Sequence, residues 1–178
     1  MFNVTAQSPA LTLAHTVIDT PIGRLGLFQT EVGLAKVAFE ADRVDRLVVE
    51  IAQALAARPV HDPARLEGAK RQLDQYFDKL RRVFDLRLDL SLAHGFALDV
   101  VKRLNILPYG RTKSYGQLAK ELGRPGASRA VGTACGANPL PVVIPCHRVV
   151  KADGTLGGYG GGEDIKRTLL ELEGVRTP

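Results

Sequence analysis

The hydrophobic pattern changes period along the chain, and the changes divide it. Residues 13–19, 24–30 and 33–40 alternate apolar and polar side chains and predict three short strands. Thr20-Pro21-Ile22-Gly23 and Thr30-Glu31-Val32-Gly33 supply the turns between them. From Asp42 the period becomes helical, with Val44, Leu47, Val48, Ile51 and Leu55 on one face. A loop carrying Pro59 and Pro63 is expected to end that helix. Leu66, Ala69, Leu73, Tyr76, Phe77 and Leu80 mark a second. Phe84, Leu86, Leu88 and Leu90 then alternate with Asp85, Arg87 and Asp89, the pattern of a half-buried strand. This is a small α/β unit without a catalytic constellation of its own, in which His15 and His61 read as ordinary surface or edge residues.

The pattern changes again between Ser91 and Gly95, which places a domain boundary there: residues 1–93 and residues 94–178. Phe96, Val100, Val101, Leu104 and Leu107 predict a helix that stops at Pro108-Tyr109-Gly110. Ser114-x-x-Gln117 has the form of a capping box and opens a short helix through Leu122. Gly123-Arg124-Pro125-Gly126 breaks it, and a third helix spans residues 127–137, ending at Asn138-Pro139. Two short helices joined by a Gly-containing turn have the look of a helix-turn-helix. The second is built from small residues, Ala127, Ala130, Gly132, Ala134, Gly136 and Ala137, so its backbone can approach a partner closely. Arg129 is its one long side chain, suited either to reach into DNA or to form a surface ion pair.

Charge sharpens this picture only once it is located. Residues 1–93 carry 12 Lys/Arg and 12 Asp/Glu, whereas residues 94–178 carry 12 Lys/Arg and only 7 Asp/Glu. The whole excess of +5 lies in the second half, the footprint expected of a nucleic-acid binder and equally compatible with a merely basic surface. No apolar run is long enough to span a bilayer. Met1 to Ala10 does not read as a signal peptide, and only two cysteines are present, so a reducing cytoplasm is the expected location. Cys135 and Cys146 stand eleven positions apart, which matches no common zinc spacing, and no metal is expected.

The chemistry concentrates in Ile144-Pro145-Cys146-His147-Arg148-Val149-Val150. A thiol, an imidazole and a guanidinium occupy successive positions in an apolar stretch. Cys146 reads either as a buried structural thiol or as a nucleophile activated by a neighbouring base. Asp153-Gly154 then signals a hairpin turn. The run from Gly157 to Gly162 lacks the following Lys-Ser/Thr of a phosphate loop and suits close approach to a flat ligand instead. Glu163 and Asp164 favour the start of a last helix, which Gly174 stops. Glu173, at its end, would in isolation be a solvated carboxylate.

Together these residues resemble the O6-alkylguanine-DNA alkyltransferase family. The likeness rests on Pro145-Cys146-His147-Arg148-Val149, Asp153-Gly154, Gly158-Tyr159, Gly161-Gly162, Lys166, Leu169-Leu170 and Glu173-Gly174. Upstream it includes Pro108-Tyr109-Gly110, Ser114-Tyr115, Arg129-Ala130-Val131-Gly132 and Asn138-Pro139. Before residue 94 it is weaker, resting on Thr20-Pro21-Ile22-Gly23 and Val37-Ala38-Phe39. The resemblance implies a small ribonuclease H-like α/β domain followed by a mainly helical winged helix-turn-helix domain. It implies irreversible, single-turnover transfer of the alkyl group from O6-alkylguanine in double-stranded DNA, with O4-alkylthymine as a second candidate, by a monomer needing no cofactor. By the same resemblance Cys146 is the acceptor, His147 activates it through a water, and Glu173 orients the histidine. Asn138 fixes the turn before the acceptor. Tyr115 perturbs the 3′ phosphate and protonates the base at N3, Arg129 fills the gap left in the duplex, and Lys166 lies near the acceptor. Ala130 and Cys135 belong to the DNA-facing helix. Tyr159, Gly160, Pro141 and Val149 belong to the base pocket.

Three departures qualify the likeness. Gly160 stands where many members have Ser, Cys135 where a larger apolar residue is common, and His94-Gly95-Phe96-Ala97-Leu98-Asp99 lacks the Thr-Pro-Phe-Gln form. Two other activities use similar residues. A Cys-His-Glu hydrolase would need an oxyanion hole and leaves the basic helix-turn-helix unexplained. A non-reactive lesion-binding protein would have no use for Cys146, where alkyltransferase-like proteins carry Trp.

Overall fold

A computed structural model describes residues 11–39 and 41–176. The reading of Met1 to Ala10 and the last residue of the third expected strand, Glu40, lie outside the described residues. The first half is a four-stranded sheet in the order β3-β2-β1-β4, with two helices. Strands β1 (Thr12–Thr20), β2 (Gly23–Gln29) and β3 (Leu34–Ala38) form an antiparallel meander. Helices α1 (Val44–Ala54) and α2 (Pro63–Phe77) are separated by β4 (Arg58–His61), parallel to β1. Asp62 caps α2 by accepting a hydrogen bond from the Arg65 N–H, and Pro63 sits where its missing donor costs nothing.

Two expectations require correction here. The Pro59 segment is not a plain loop but the edge strand β4, where a proline is tolerated because one row of ladder donors has no neighbour to serve. Conversely, residues 84–90 alternate in burial only as far as Leu88, since Asp89 is buried, and they form no strand, only a single bridge between Leu34 and Leu88. The reason lies at the edge of β3. Residues Arg87 and Asp89 bond Leu34, but the next free donor, Val37 N–H, is taken at 2.9 Å by the carbonyl of Pro139 from the second half. The ladder therefore cannot extend. His15 also differs from its reading, since it stands on an inner strand, stacked on Phe28 and edge-on to His61.

The second half contains α3 (Gly95–Leu104), α4 (Tyr115–Glu121), α5 (Ser128–Gly136) and α6 (Glu163–Leu172). Two short parallel strands, β5 (Lys113–Ser114) and β6 (Val149–Val150), tie the entry of α4 to the segment after Cys146. The capping box at Ser114 and Gln117 forms in both directions. Helix α5 buries Val131 and Ala134 while Arg129, Ala130 and Thr133 face outward, so the small-residue face is the accessible one.

One apolar core joins the halves. It runs from Leu25, Leu27 and Leu73 of the sheet and α2 to Val100, Leu104, Val131 and Ile144 beyond residue 94. The second half thus cannot shift against the first without exposing core. Between them, buried Asp89 accepts hydrogen bonds from Thr30 Oγ1 at 2.5 Å and from the hydroxyl and N–H of Ser91 at 2.5 and 3.0 Å. Burial by itself would raise its pKa, but these bonds outweigh it and hold the carboxyl below the ordinary value. Asp89→Ala would leave those donors unpaired and should cost about 1–3 kcal/mol. Urea unfolding at neutral pH measures it. Because the folded pKa is depressed, the contribution is present above the unfolded pKa and is lost as pH falls through the folded one.

Candidate active site

Apolar residues Val142, Val143 and Ile144 bury the segment that leads to Cys146, and Pro145 limits its entry. Cys146–Arg148 then forms a single 3-10 turn, which sends three successive side chains in different directions. The Cys146 thiol points toward open space shared by two cavities, whereas His147 and Arg148 turn back into the protein. Upstream, Asn138 holds the turn: its Oδ1 accepts from Leu140 N–H at 3.0 Å and its Nδ2 donates to Ile144 O at 2.8 Å. This folding places Val142 at φ +73°, a left-handed conformation that costs a β-branched residue energy and that only its complete burial sustains.

Behind the thiol lies a buried polar centre built around Glu173. Its Oε1 accepts hydrogen bonds from Tyr76 Oη at 2.7 Å, Arg148 Nη2 at 2.8 Å and His147 Nε2 at 2.9 Å. Its Oε2 accepts from Arg148 Nε at 2.9 Å and Gly110 N–H at 3.0 Å. Arg148 also donates to the carbonyl of Leu107. Gly110 is required there: its φ is +69°, and a Cβ would come within 2.9 Å of the Glu173 carbonyl oxygen. Burial alone would raise the Glu173 pKa, but the His147 and Arg148 bonds reverse this and hold it far below the ordinary carboxylate range.

The electrostatics fix the protonation of the site. With Nε2 facing an ionised carboxylate, His147 carries its proton there and leaves Nδ1 as acceptor. Burial lowers the His147 pKa, and the Glu173 hydrogen bond only partly offsets this, so the ring is neutral at physiological pH. Its Nδ1 is buried without a hydrogen-bond partner among the described residues. No direct bond joins it to the thiol. The Asn138 amide and the backbone of Cys146 and His147 instead lie close enough to the thiol to favour its ionised form. Burial raises the Cys146 pKa, against the lowering effect of those groups and of Lys166. In the resting state the pair is therefore thiol and neutral imidazole.

Lys166, completely buried, donates its ammonium to the carbonyls of Val149 at 2.7 Å, Leu156 and Gly158 at 3.4 Å, and approaches Tyr115 Oη at 3.5 Å. It thereby pins the glycine-rich segment against β6. Within that segment Gly157, at φ +70°, passes so close to Tyr115 that a Cβ would meet its hydroxyl at 2.9 Å. That glycine serves internal packing rather than a flat ligand. Burial pushes the Tyr115 phenol up to about 12.

One cavity of about 620 Å³ opens along α5, where Cys146 meets Arg129, Gly132, Cys135, Tyr115, Tyr159 and Gly160. A second of about 390 Å³ lies on the other side of the thiol and includes Asn138 and Pro141. The residues proposed from sequence are thus brought together in two shells: those facing open space, and His147, Glu173 and Lys166 behind them. Val149 is buried and contributes the carbonyl that Lys166 binds; Ala130 is exposed on α5 and lines neither cavity. Arg129 is exposed and has no carboxylate partner among the described residues. Cys135 is half-buried, with its thiol pushed up to about 12 by burial.

The second half, residues 95–175, matches the family described as 6-O-methylguanine DNA methyltransferase, DNA binding domain, and residues 13–90 match its ribonuclease-like domain. A methylated-DNA–protein-cysteine methyltransferase of Mycobacterium bovis is 42% identical over 169 residues, covering 92% of this chain and 94% of that protein. The chain belongs to the 6-O-methylguanine DNA methyltransferase family. A family member of the same name from Methanosarcina acetivorans is 38% identical, covering 90% of this chain and 97% of its own. Among solved members, the crystal structure of Mycobacterium tuberculosis OGT in complex with DNA superposes with a TM-score of 0.78 at 40% identity, covering 93% of this chain and 95% of that one. The O6-methylguanine-DNA methyltransferase of Pyrococcus kodakaraensis has a TM-score of 0.62 at 26% identity, covering 92% of this chain and all of the other.

Three partners of Glu173 were not assigned from the sequence. Arg148 was noted only as a charge beside the thiol, Gly110 only as part of a motif, and Tyr76 only as a core position of α2. The first half, read as having no catalytic constellation of its own, nevertheless contributes Tyr76 to the Glu173 hydrogen bonds. An arginine inside an otherwise apolar run was the available signal, since a buried guanidinium demands a buried anion.

Glu173→Gln should cost about 3–5 kcal/mol, because it leaves Arg148 buried opposite a neutral amide. The pH dependence has a definite sign. The folded pKa values of His147 and Glu173 are both lowered, so the unfolded chain takes up protons first. Stability should fall below about pH 6.5 and more steeply below about pH 4.5. The Gln variant should lack the steeper limb in urea unfolding followed from about pH 8 down to about pH 2.5.

Proposed function

We propose that the protein repairs DNA by taking the alkyl group of O6-alkylguanine in duplex DNA onto Cys146, once and irreversibly. The observation that carries this reading is the Cys146 thiol, backed by an oriented His147–Glu173 pair, at the inner end of a cavity that opens along the exposed small-residue face of α5. The O6 carbon is unreachable in a stacked duplex, so the nucleotide must be extruded at a cost of a few kcal/mol. Arg129, outward on α5, fills the vacancy, and Tyr159 packs along the extruded base beside Gly160 and Pro141. Ala130 and Cys135 let α5 approach the groove closely.

His147 Nδ1 accepts the Cys146 proton through one bridging water, and the imidazolium so formed faces the Glu173 carboxylate. Burial keeps the resting ring neutral, and Arg148, which shares that carboxylate, adds to the effect. The thiolate is held by the Asn138 amide, with the Lys166 ammonium nearby. It attacks the O6-attached carbon, forming the S–C bond as the C–O6 bond breaks and its electron pair goes to the guanine. Tyr115, whose raised pKa keeps it protonated, supplies a proton at N3. The product is a thioether, which unlike a thioester has no easy hydrolysis route, and no cofactor enters the reaction.

The other assignments are of the same kind. All the proposed groups come from a single chain, so the protein acts as a monomer, with its domain division at residues 93 and 94. The reducing cytoplasm, where Cys135 and Cys146 persist as thiols, suits an acceptor that must stay unoxidised. No helix among the described residues is long and apolar enough to cross a membrane.

Incubation with a duplex carrying radiolabelled O6-methylguanine tests the reading. Label should appear on the protein at one equivalent and stop, and Cys146→Ala should bind the duplex without acquiring label. Binding without label in the unmodified protein would favour a lesion sensor, and continuing ester turnover a hydrolase. Arg129→Ala should slow transfer from duplex far more than transfer from a single strand, which needs no extrusion. Equal losses on both would remove the extrusion role, and a uniform fall in affinity with a flatter salt dependence would mark a phosphate contact instead.

A further inference from the structure

Two buried side-chain atoms among the described residues have no hydrogen-bond partner in the protein: His147 Nδ1 and the hydroxyl of Tyr159. They belong to neighbouring rings, whose centroids stand 6.4 Å apart at 89°. A buried polar atom costs free energy unless something satisfies it, and two of them side by side point to a shared partner.

Packing along a base leaves this hydroxyl unexplained. The Tyr159 ring is held by Phe39, which meets it edge-on at 5.5 Å. A phenylalanine would keep that contact and lie against an extruded base equally well. The hydroxyl is instead buried toward the reacting centre. Burial first, and then the nearness of Cys146, Tyr76 and Glu173, raises its pKa well above the ordinary phenol value. Tyr159 also lines both of the cavities that meet at the thiol.

The proposed reaction requires a water at this point, because Nδ1 and Sγ share no direct bond. A buried water typically makes about three hydrogen bonds. Sγ and Nδ1 supply two, and a water held by these alone could turn about them. The Tyr159 hydroxyl donates or accepts as it rotates, and so fills the place that the other two leave. We propose that Tyr159 acts through its hydroxyl as a positioning residue of the proton relay, anchoring the water that carries the Cys146 proton to His147 Nδ1. The inference rests on Cys146 being the acceptor and His147 its base. The thiol proton passes to the water as the water gives one of its own to Nδ1, and Tyr159 keeps its proton throughout.

The other titratable groups around the relay are engaged elsewhere or firmly protonated. Tyr76 of α2 and Arg148 bond Glu173 behind the imidazole, and Lys166 of α6 donates to backbone carbonyls. Cys135 of α5 and Tyr115 of α4, which share the open side with the thiol, are each pushed up to about 12.

Tyr159→Phe tests the relay, since it keeps the ring and removes only the hydroxyl. Two electrophiles are compared: O6-methylguanine in a single strand, and iodoacetamide, which carries no base to pack. Modification is read at Cys146 by peptide mass spectrometry, so that Cys135 is counted separately. General-base catalysis as a whole is worth about 10²–10⁴-fold, so losing one anchor of the water should slow both reactions on the order of tenfold at neutral pH. The deficit should shrink as the pH is raised from about 7 to about 9.5, where hydroxide increasingly removes the thiol proton without the relay. Tyr159→Leu should show the same pH-dependent loss with iodoacetamide and a larger one with the oligonucleotide, having lost the ring as well. Melting temperatures check folding, and either variant that melts normally decides. Normal reaction of the Phe variant, slowing on the oligonucleotide alone, or a deficit constant across pH would each overturn the relay role and leave Tyr159 as packing. An unmodified protein that takes iodoacetamide at Cys146 but no methyl group from DNA would overturn the acceptor reading on which the relay rests.

Discussion

The structure depends on the burial of one carboxylate. Glu173 is removed from water and compensated by donors from four residues on three separate stretches of chain: Tyr76 on α2, Gly110 in the loop after α3, and His147 with Arg148 beside the thiol. An isolated buried carboxylate would be prohibitively costly, and only this many bonds make it stable in its charged form. The same bonds settle the chemistry. They fix the ring orientation and tautomer of His147, and so determine which nitrogen is left to accept a proton.

Arg148 gives this centre a second property. Burial is the main reason that His147 stays unprotonated beside Glu173, and Arg148 adds to that effect. The guanidinium takes two of the carboxylate's hydrogen bonds, and its positive charge opposes protonation of His147. The thiol in front is likewise held in its neutral form by burial. In the proposed reaction such a site rests uncharged at Cys146 and separates charge only when an electrophilic carbon arrives. That is appropriate for a reagent that reacts once and must not be spent on other electrophiles.

The two halves are joined both by packing and by function. The apolar core is continuous across them, the β3 edge bonds the turn that Asn138 holds, and β3 with α1 closes the far side of the second cavity. The ribonuclease-like half is thus structural support for the acceptor segment and, through Phe39 and Leu47, part of the space around it. A strained residue, Val142, lies in that supported turn, where burial on all sides keeps a conformation that an isolated peptide would abandon.

The residues by themselves determined a great deal. Local rules are sufficient for α1 and α2, for the capping box at Ser114, and for the helix-turn-helix, because periodicity and caps act over a few positions. The unbroken Pro145-Cys146-His147-Arg148 run and its companions identified the family, and with it the roles expected of Cys146, His147 and Glu173. Other features were decided only by the tertiary structure. Residues 84–90 alternate as a strand should, yet a strand needs a partner edge, and the Pro139 carbonyl occupies the donor it would need. Pro59 looked like a loop residue until β4 took the sheet edge, the one place a proline fits. Tyr76, Gly110 and Arg148 became partners of Glu173 only when segments up to 97 positions apart were brought together around a charge that had to be neutralised. Spacing along a chain carries no record of such a meeting, since hydrogen bonds to a buried anion are set by distance in space and not by distance in sequence.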